Sequence, residues 1–155
     1  MQGMLSAAQM DALLCSESFG HLGCTDGLKP YVVPMAFVYH DNVLYGQTTE
    51  GKKVEMLRRN PLVCFQVEHL GDRNWNSVIC WGNFEELSFE ELQKPESVRI
   101  VELLSMKIGS IQKQVGVSIP FSFVEAAVPL TVNEKKSTLF RIVIAEKTGK
   151  FYRED

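Results

Sequence analysis

YVVPMAFVYHDNVLYGQTTEGKKVEMLRRN, residues 31–60, decides how the rest of the chain is read. Tyr31 to Tyr39 is rich in valine and aromatic side chains, the composition of a β-strand. Pro34 stands in its middle. A proline donates nothing to a ladder, so the predicted strand is an edge, a bulge, or a stretch open to a ligand. His40-Asp41-Asn42 supplies a turn, and Val43 to Thr48 returns as a second strand. A polar run, Gln47-Thr48-Thr49-Glu50-Gly51, then opens a helix from Gly51 to Asn60. Val54 and Leu57 share one face of it, Met56 lies beside them, and Pro61 follows its end.

Outward from this stretch the chain keeps the same grammar. Ser6 and Gln9 form a capping-box pattern for a helix from about Ala7 to Ser16. Phe19 to Cys24 reads as a short strand ending in Thr25-Asp26-Gly27. Leu62 to Glu68 is apolar on both faces, as a central strand should be. A polar loop from Leu70 to Asn74 precedes a long strand, Ser77 to Leu87, in which Gly82 marks a bulge or a close backbone approach. Ser88 and Glu91 form a second capping box, and Val98, Val101, Leu104, Ile108 and Ile111 recur at helical spacing, giving a helical insertion over about 88–116. Gly116 to Asn133 has no assignable pattern. Ser137 to Glu146 is a strand, and Thr148-Gly149 is read as a turn into a last strand, Lys150 to Arg153. Short connections favour antiparallel pairing. The expectation is one domain over 1–155, mainly β with flanking helices, built as a small antiparallel barrel.

Composition narrows the function classes. The chain has 155 residues, 45% hydrophobic, with a formal net charge of -3, which disfavours a general nucleic-acid binder. No apolar run approaches the roughly 20 residues of a membrane span, and no leader pattern opens the chain. A cytoplasmic protein with neither a nucleic-acid nor a membrane partner is expected. Cys15, Cys24, Cys64 and Cys80 form no C-x-x-C pair, and His21, His40 and His69 are scattered. Reduced, mostly buried thiols and no metal site are the expectation.

The chemistry concentrates in three places. Lys52 and Lys53 occupy the first turn of the helix that Gly51 opens, where acids are preferred because unpaired N–H groups make that end positive. A bound anion resolves the conflict, with Thr48 and Thr49 as further donors. Alternatively both lysines are solvated and Glu50 offsets their charge. Neither a Walker loop nor a G-x-G-x-x-G fingerprint is present. Val33-Pro34-Met35-Ala36 forms an apolar shelf whose broken ladder leaves backbone groups for a heterocycle, or an edge whose proline blocks aggregation. Trp75 and Trp81 bracket an apolar strand holding Ser77, which is either core or a surface that stacks on a ligand or a partner. No catalytic acid, base or nucleophile is organised by a motif.

These blocks together, Gly20 to Leu70, then Asn74 to Leu87 and Phe140 to Arg153, resemble the pyridoxamine 5′-phosphate oxidase-like FMN-binding superfamily. The branch that they are most similar to is that of the nitroimidazole-resistance (Nim)-related flavoproteins. The resemblance implies a six-stranded antiparallel split β-barrel that forms a homodimer, with FMN at the interface and FAD also accommodated. It implies that Lys53 holds the phosphate, aided by Lys52 and Thr48. Val33, Pro34, Met35 and Ala36 would lie along the isoalloxazine ring, and Ser77 and Trp81 would sit on the strand nearest the flavin or the partner chain. Gln47 stands where these relatives often carry histidine, and Asn76 where they tend to carry arginine. A flavin-dependent oxidoreductase passing electrons to a small planar acceptor, nitroaromatic or quinone-like, is the implied activity. A non-catalytic flavin, haem or deazaflavin module stays open beside it. Vitamin B6 oxidation, as in pyridoxamine 5′-phosphate oxidase itself, is a further alternative. It is disfavoured because the C-terminal arginine- and histidine-bearing segment of those enzymes is not recognisable here. His21 is the one histidine in a matching block.

Overall fold

Period-two alternation drives most of this chain into strands. The computed structural model describes residues 1–116 and 137–154. In order these form β1 (Gln2–Met4), α1 (Ala7–Ser16), β2 (Phe19–Thr25), β3 (Pro30–Ala36), β4 (Val38–His40) and β5 (Val43–Thr49). There follow α2 (Lys52–Arg59), β6 (Leu62–Leu70), β7 (Asn74–Glu86), α3 (Phe89–Leu92), α4 (Pro95–Val115) and β8 (Ser137–Arg153). The strands make one antiparallel sheet in the order β3-β2-β6-β7-β8-β5-β4, with β1 added to β8. The sheet coils into the split barrel expected, flanked by helices.

The strand count rises from the six expected to eight, for identifiable reasons. β1 has no counterpart among the expected strands: it is three residues long and its only ladder is to Lys150–Tyr152 of β8. The single strand expected over Tyr31 to Tyr39 is two, broken at Phe37 and not at Pro34. Pro34 is harmless because, among the described residues, β3 is an edge paired only with β2. Phe37 is buried at the corner and its N–H donates to the Ser18 carbonyl at 3.2 Å. Conversely, Thr148-Gly149 is no turn. β8 runs unbroken for 17 residues, because both of its edges are occupied, by β7 on one side and by β5 and β1 on the other. The predicted bulge at Gly82 is present: the register with β8 shifts between Trp81 and Gly82.

β6 shows how the alternation works. Val63, Phe65 and Val67 are buried against the barrel interior, whereas Cys64 and Gln66, on the opposite face, are half-buried. The interior also holds Leu22, Leu44, Leu57, Phe140 and Ile142. α1 covers it from one side. Its capping box is made as predicted, with Ser6 Oγ accepting from Gln9 N–H and Gln9 Oε1 accepting from Ser6 N–H. It is pinned by Lys147 Nζ, which donates to Asp11 at 2.6 Å and to the Tyr39 hydroxyl at 2.9 Å. Lys107 of α4 donates to the Cys15 and Glu17 carbonyls at its C-terminal end.

The helical insertion falls where it was expected, from the Ser88 cap to Gly116 in the left-handed region (φ 66°) that ends α4. Ile100 and Leu104 of α4 cover Val38 and Leu139, and Ile108 and Ile111 cover Ala36. Most of the unassigned stretch from Gly116 to Asn133 lies outside the described residues. All four cysteines are free thiols; Cys24 and Cys80 are buried as expected, but Cys15 at the end of α1 is exposed. Burial pushes the Cys80 thiol up to about 12, far from a reactive thiolate.

Candidate flavin-phosphate site and sheet face

Gly51 is the N-cap of α2, in extended backbone, and no side chain caps the helix. Its first N–H groups therefore keep their partial positive charge for another acceptor. α2 stays in place through Val54, Met56 and Leu57, all buried, and through Arg58 at its other end. Arg58 forks between Glu50 (2.6 and 2.9 Å) and Glu86 (2.6 Å). Lys52 is exposed in the first turn, while Lys53 is half-buried. No described carboxylate lies within ion-pairing distance of Lys53. Burial pulls its ammonium below the ordinary lysine range, opposed only by the Cys24 thiol. A desolvated cation beside an uncapped helix end fits a phosphate group, which would supply the missing negative charge.

The other predicted site residues divide by face. On β3, His21 of β2 is registered with Pro34, and Gly23 with Val32, so Pro34 and Val32 look outward with those residues. Val33 packs against the barrel interior, Met35 is buried within it, and Ala36 is buried under α4. Among the described residues, the edge of β3 turned away from β2 pairs with no other strand. Thr48 is buried, with its hydroxyl donating to the Thr49 carbonyl at 3.4 Å. Gln47, also buried, is registered with Leu139 on the side that α4 covers. On β7, Ser77, Ile79 and Trp81 share the outer face, and Trp81 is 39% exposed. Ser77 and Trp81 are three strands away from β3, roughly 14 Å at one strand spacing each. The described chain thus brings Lys52 and Lys53 together on α2 and Val33 to Ala36 together on β3, and it holds Ser77 and Trp81 apart from both.

Between those halves lies a residue that sequence reasoning passed over. Gln66 sits on the outer face of β6, its Oε1 at 3.3 Å from His21 Nδ1 and its Nε2 at 3.4 Å from Ser77 Oγ. The signal was there: Gln66 is the one amide in the run Val63 to Val67. Its partners, however, depend on strand pairing across the sheet. The Cys64 side chain fills the space over Gly23, where a Cβ would lie 2.7 Å from Cys64 Sγ. Among the described residues, no three His, Cys, Asp or Glu side chains are grouped to hold a metal, and no helix is long and apolar enough to cross a membrane.

Known proteins carry the same frame. Residues 6–150 match the family model described as pyridoxamine 5′-phosphate oxidase. The chain is 28% identical over 105 residues to an uncharacterised protein of Rhizobium meliloti, covering 67% of this chain and 70% of that one. Among solved structures, a FAD-binding protein from Mesorhizobium loti superposes with a TM-score of 0.78 at 28% identity, covering 99% of this chain and 98% of the other. A candidate 5-nitroimidazole antibiotic resistance protein from Bacteroides thetaiotaomicron superposes with a TM-score of 0.70 at 20% identity, covering 98% and 88%. That second likeness is one of fold. With 145 consecutive positions matched by one family model, out of 155, the chain belongs to the pyridoxamine 5′-phosphate oxidase family.

Proposed function

We propose that this protein binds FMN, as a homodimer, and uses it to pass electrons to a small planar acceptor such as a quinone-like or nitroaromatic compound. One observation carries the reading: Lys53, desolvated and without a described counter-charge, beside the uncapped N-terminus of α2. The FAD-binding relative from Mesorhizobium loti supports a flavin as the anion's owner. A terminal phosphate dianion suits two lysines at one helix end, and FMN is the flavin that carries one. FAD would place its diphosphate there instead.

In this reading Lys53 and the first N–H groups of α2 hold the phosphate, Lys52 adds long-range attraction, and Thr49 borders the approach with Thr48 buried behind it. The open edge of β3 beside Val33, Pro34, Met35 and Ala36 receives the polar rim of the ring. Gln47, the neighbour of Thr48 on β5, takes the opposite face of the strand and closes the site on the α4 side. Bound flavin supplies the electron-transfer chemistry; the chain supplies binding, orientation and exclusion of water. The acceptor lies against the outer sheet face at β2 and β3, beside the part around Trp81 that a second copy covers. The homodimer reading is supported by the same face, which leaves Val32, Leu62 and Trp81 exposed at 66%, 65% and 39%. A second copy covering it would bring its own Ser77 and Trp81 toward the flavin of the first.

The deciding experiment is the visible spectrum of the purified protein, followed by denaturation and chromatography of the released chromophore. Oxidised flavin bands with FMN released are expected. A colourless protein that binds no added flavin overturns the reading, and released FAD overturns the choice of FMN.

A further inference from the structure

On the outer face of the sheet, register sets Pro34, His21, Gln66 and Ile79 in one row across four strands. Within that row His21 is the titratable side chain, half-buried, with the Phe19 ring edge-on at 6.1 Å. Gln66 Oε1 faces its Nδ1, and the Gln66 amide is steadied in turn by Ser77 Oγ. With the Gln66 amide in this orientation Nδ1–H is the donor, and Nε2, which makes no hydrogen bond to a described residue, is the nitrogen left to handle a proton. The other histidines differ. His69 is engaged with Glu17 at 2.9 Å, and His40 is exposed at the end of β4.

We propose that His21 is the proton donor to the acceptor, oriented by Gln66 and, through it, by Ser77. The inference rests on the flavin reading above. A quinone-like acceptor becomes a hydroquinone by gaining a hydride, two electrons and one proton, from reduced flavin, and one further proton. Imidazolium Nε2–H gives that proton to the acceptor oxygen. The ring is left as the neutral Nδ1–H tautomer, which Gln66 already holds, and water re-protonates it. Gln66 is a positioning residue; His21 is the catalytic one.

The test compares FMN-loaded wild type with His21→Gln, an outer-face change of similar size that leaves the barrel interior untouched. FMN affinity is measured first, by absorbance titration. Reduced holoprotein is then mixed with 1,4-benzoquinone, which takes up protons, or with ferricyanide, which takes electrons alone. Loss of the donor should slow benzoquinone reduction about 100-fold, with partial rescue by added imidazole. Ferricyanide reduction and FMN affinity should stay within about twofold, as expected for a surface change. Independently of turnover, the 15N-imidazole signals of His21 should move on FMN addition while those of His69 stay. Equal losses with both acceptors, unchanged benzoquinone reduction, or unmoved His21 signals in FMN-saturated protein each overturn the assignment. If wild type takes up no FMN, the absorbance titration alone shows that the flavin reading has failed, and the assignment falls with it.

Discussion

Lys53 is a cation that folding makes less comfortable. Its charge is half-buried, and desolvation lowers its proton affinity relative to the unfolded chain. The linkage sign follows. A base held below its unfolded value costs stability wherever it is protonated, and the cost is released as pH rises from the lowered folded value to the unfolded one. Lys53→Met should therefore raise the melting temperature of the flavin-free protein at neutral pH. It should also weaken FMN binding about 10- to 100-fold, by loss of a charge-assisted phosphate contact. Calorimetry and fluorescence titration of the one variant read both effects, and a lower melting temperature of the flavin-free form would contradict the first. This pair of lysines was legible in the sequence because they break the local rule for a helix first turn. Gln66 was not, since its meaning depends on a pairing with His21, 45 positions earlier.

Glycines show what the ladder demands of whole elements. At the β7–β8 bulge, a Cβ on Gly82 would lie 2.2 Å from the Val143 carbonyl oxygen, a backbone atom that cannot swing aside. Gly82→Ala should cost about 3 kcal/mol by forcing the two longest strands apart, read as a lowered midpoint in urea unfolding. Gly109 is the opposite case. It lies within α4, and a Cβ there would meet nothing within 4 Å. Gly109→Ala should raise stability by about 0.5–1 kcal/mol, because alanine loses less backbone entropy in a helix. The bulge at Gly82 could be read from its place in an apolar strand. Gly149 misled, because glycine after threonine has the chemistry of a turn. Here it stands opposite Val78 in an unbroken ladder, and a Cβ would meet Met10 and Leu5 at 2.8 and 3.0 Å. Glycine serves the close packing of α1, which no local pattern announces.

At the scale of the molecule, strand alternation made the antiparallel barrel legible, but closure was not. β1 is too short to carry a pattern and exists because β8, far away in sequence, offers it an edge. The same logic of unsatisfied surfaces bears on assembly. Leu62, Trp81 and Val143 lie on adjacent strands, and each is at least 39% exposed. Core aromatics such as Phe37 and Phe65 are buried almost completely, so the exposure is selective and not a sign of loose packing. Aromatic side chains on a flat face are the usual anchors of a subunit interface. Trp81→Arg should therefore leave the far-UV circular dichroism of the barrel intact, because the side chain is outside the core. In sedimentation velocity it should convert a species of twice the chain's mass into one of the chain's own mass. If each flavin is shared between subunits, FMN retention should fall in parallel with the dimer as protein is diluted. A monomeric Trp81→Arg protein that still holds FMN would place the whole site within one chain, and would leave Lys53, α2 and the edge of β3 to hold the cofactor alone.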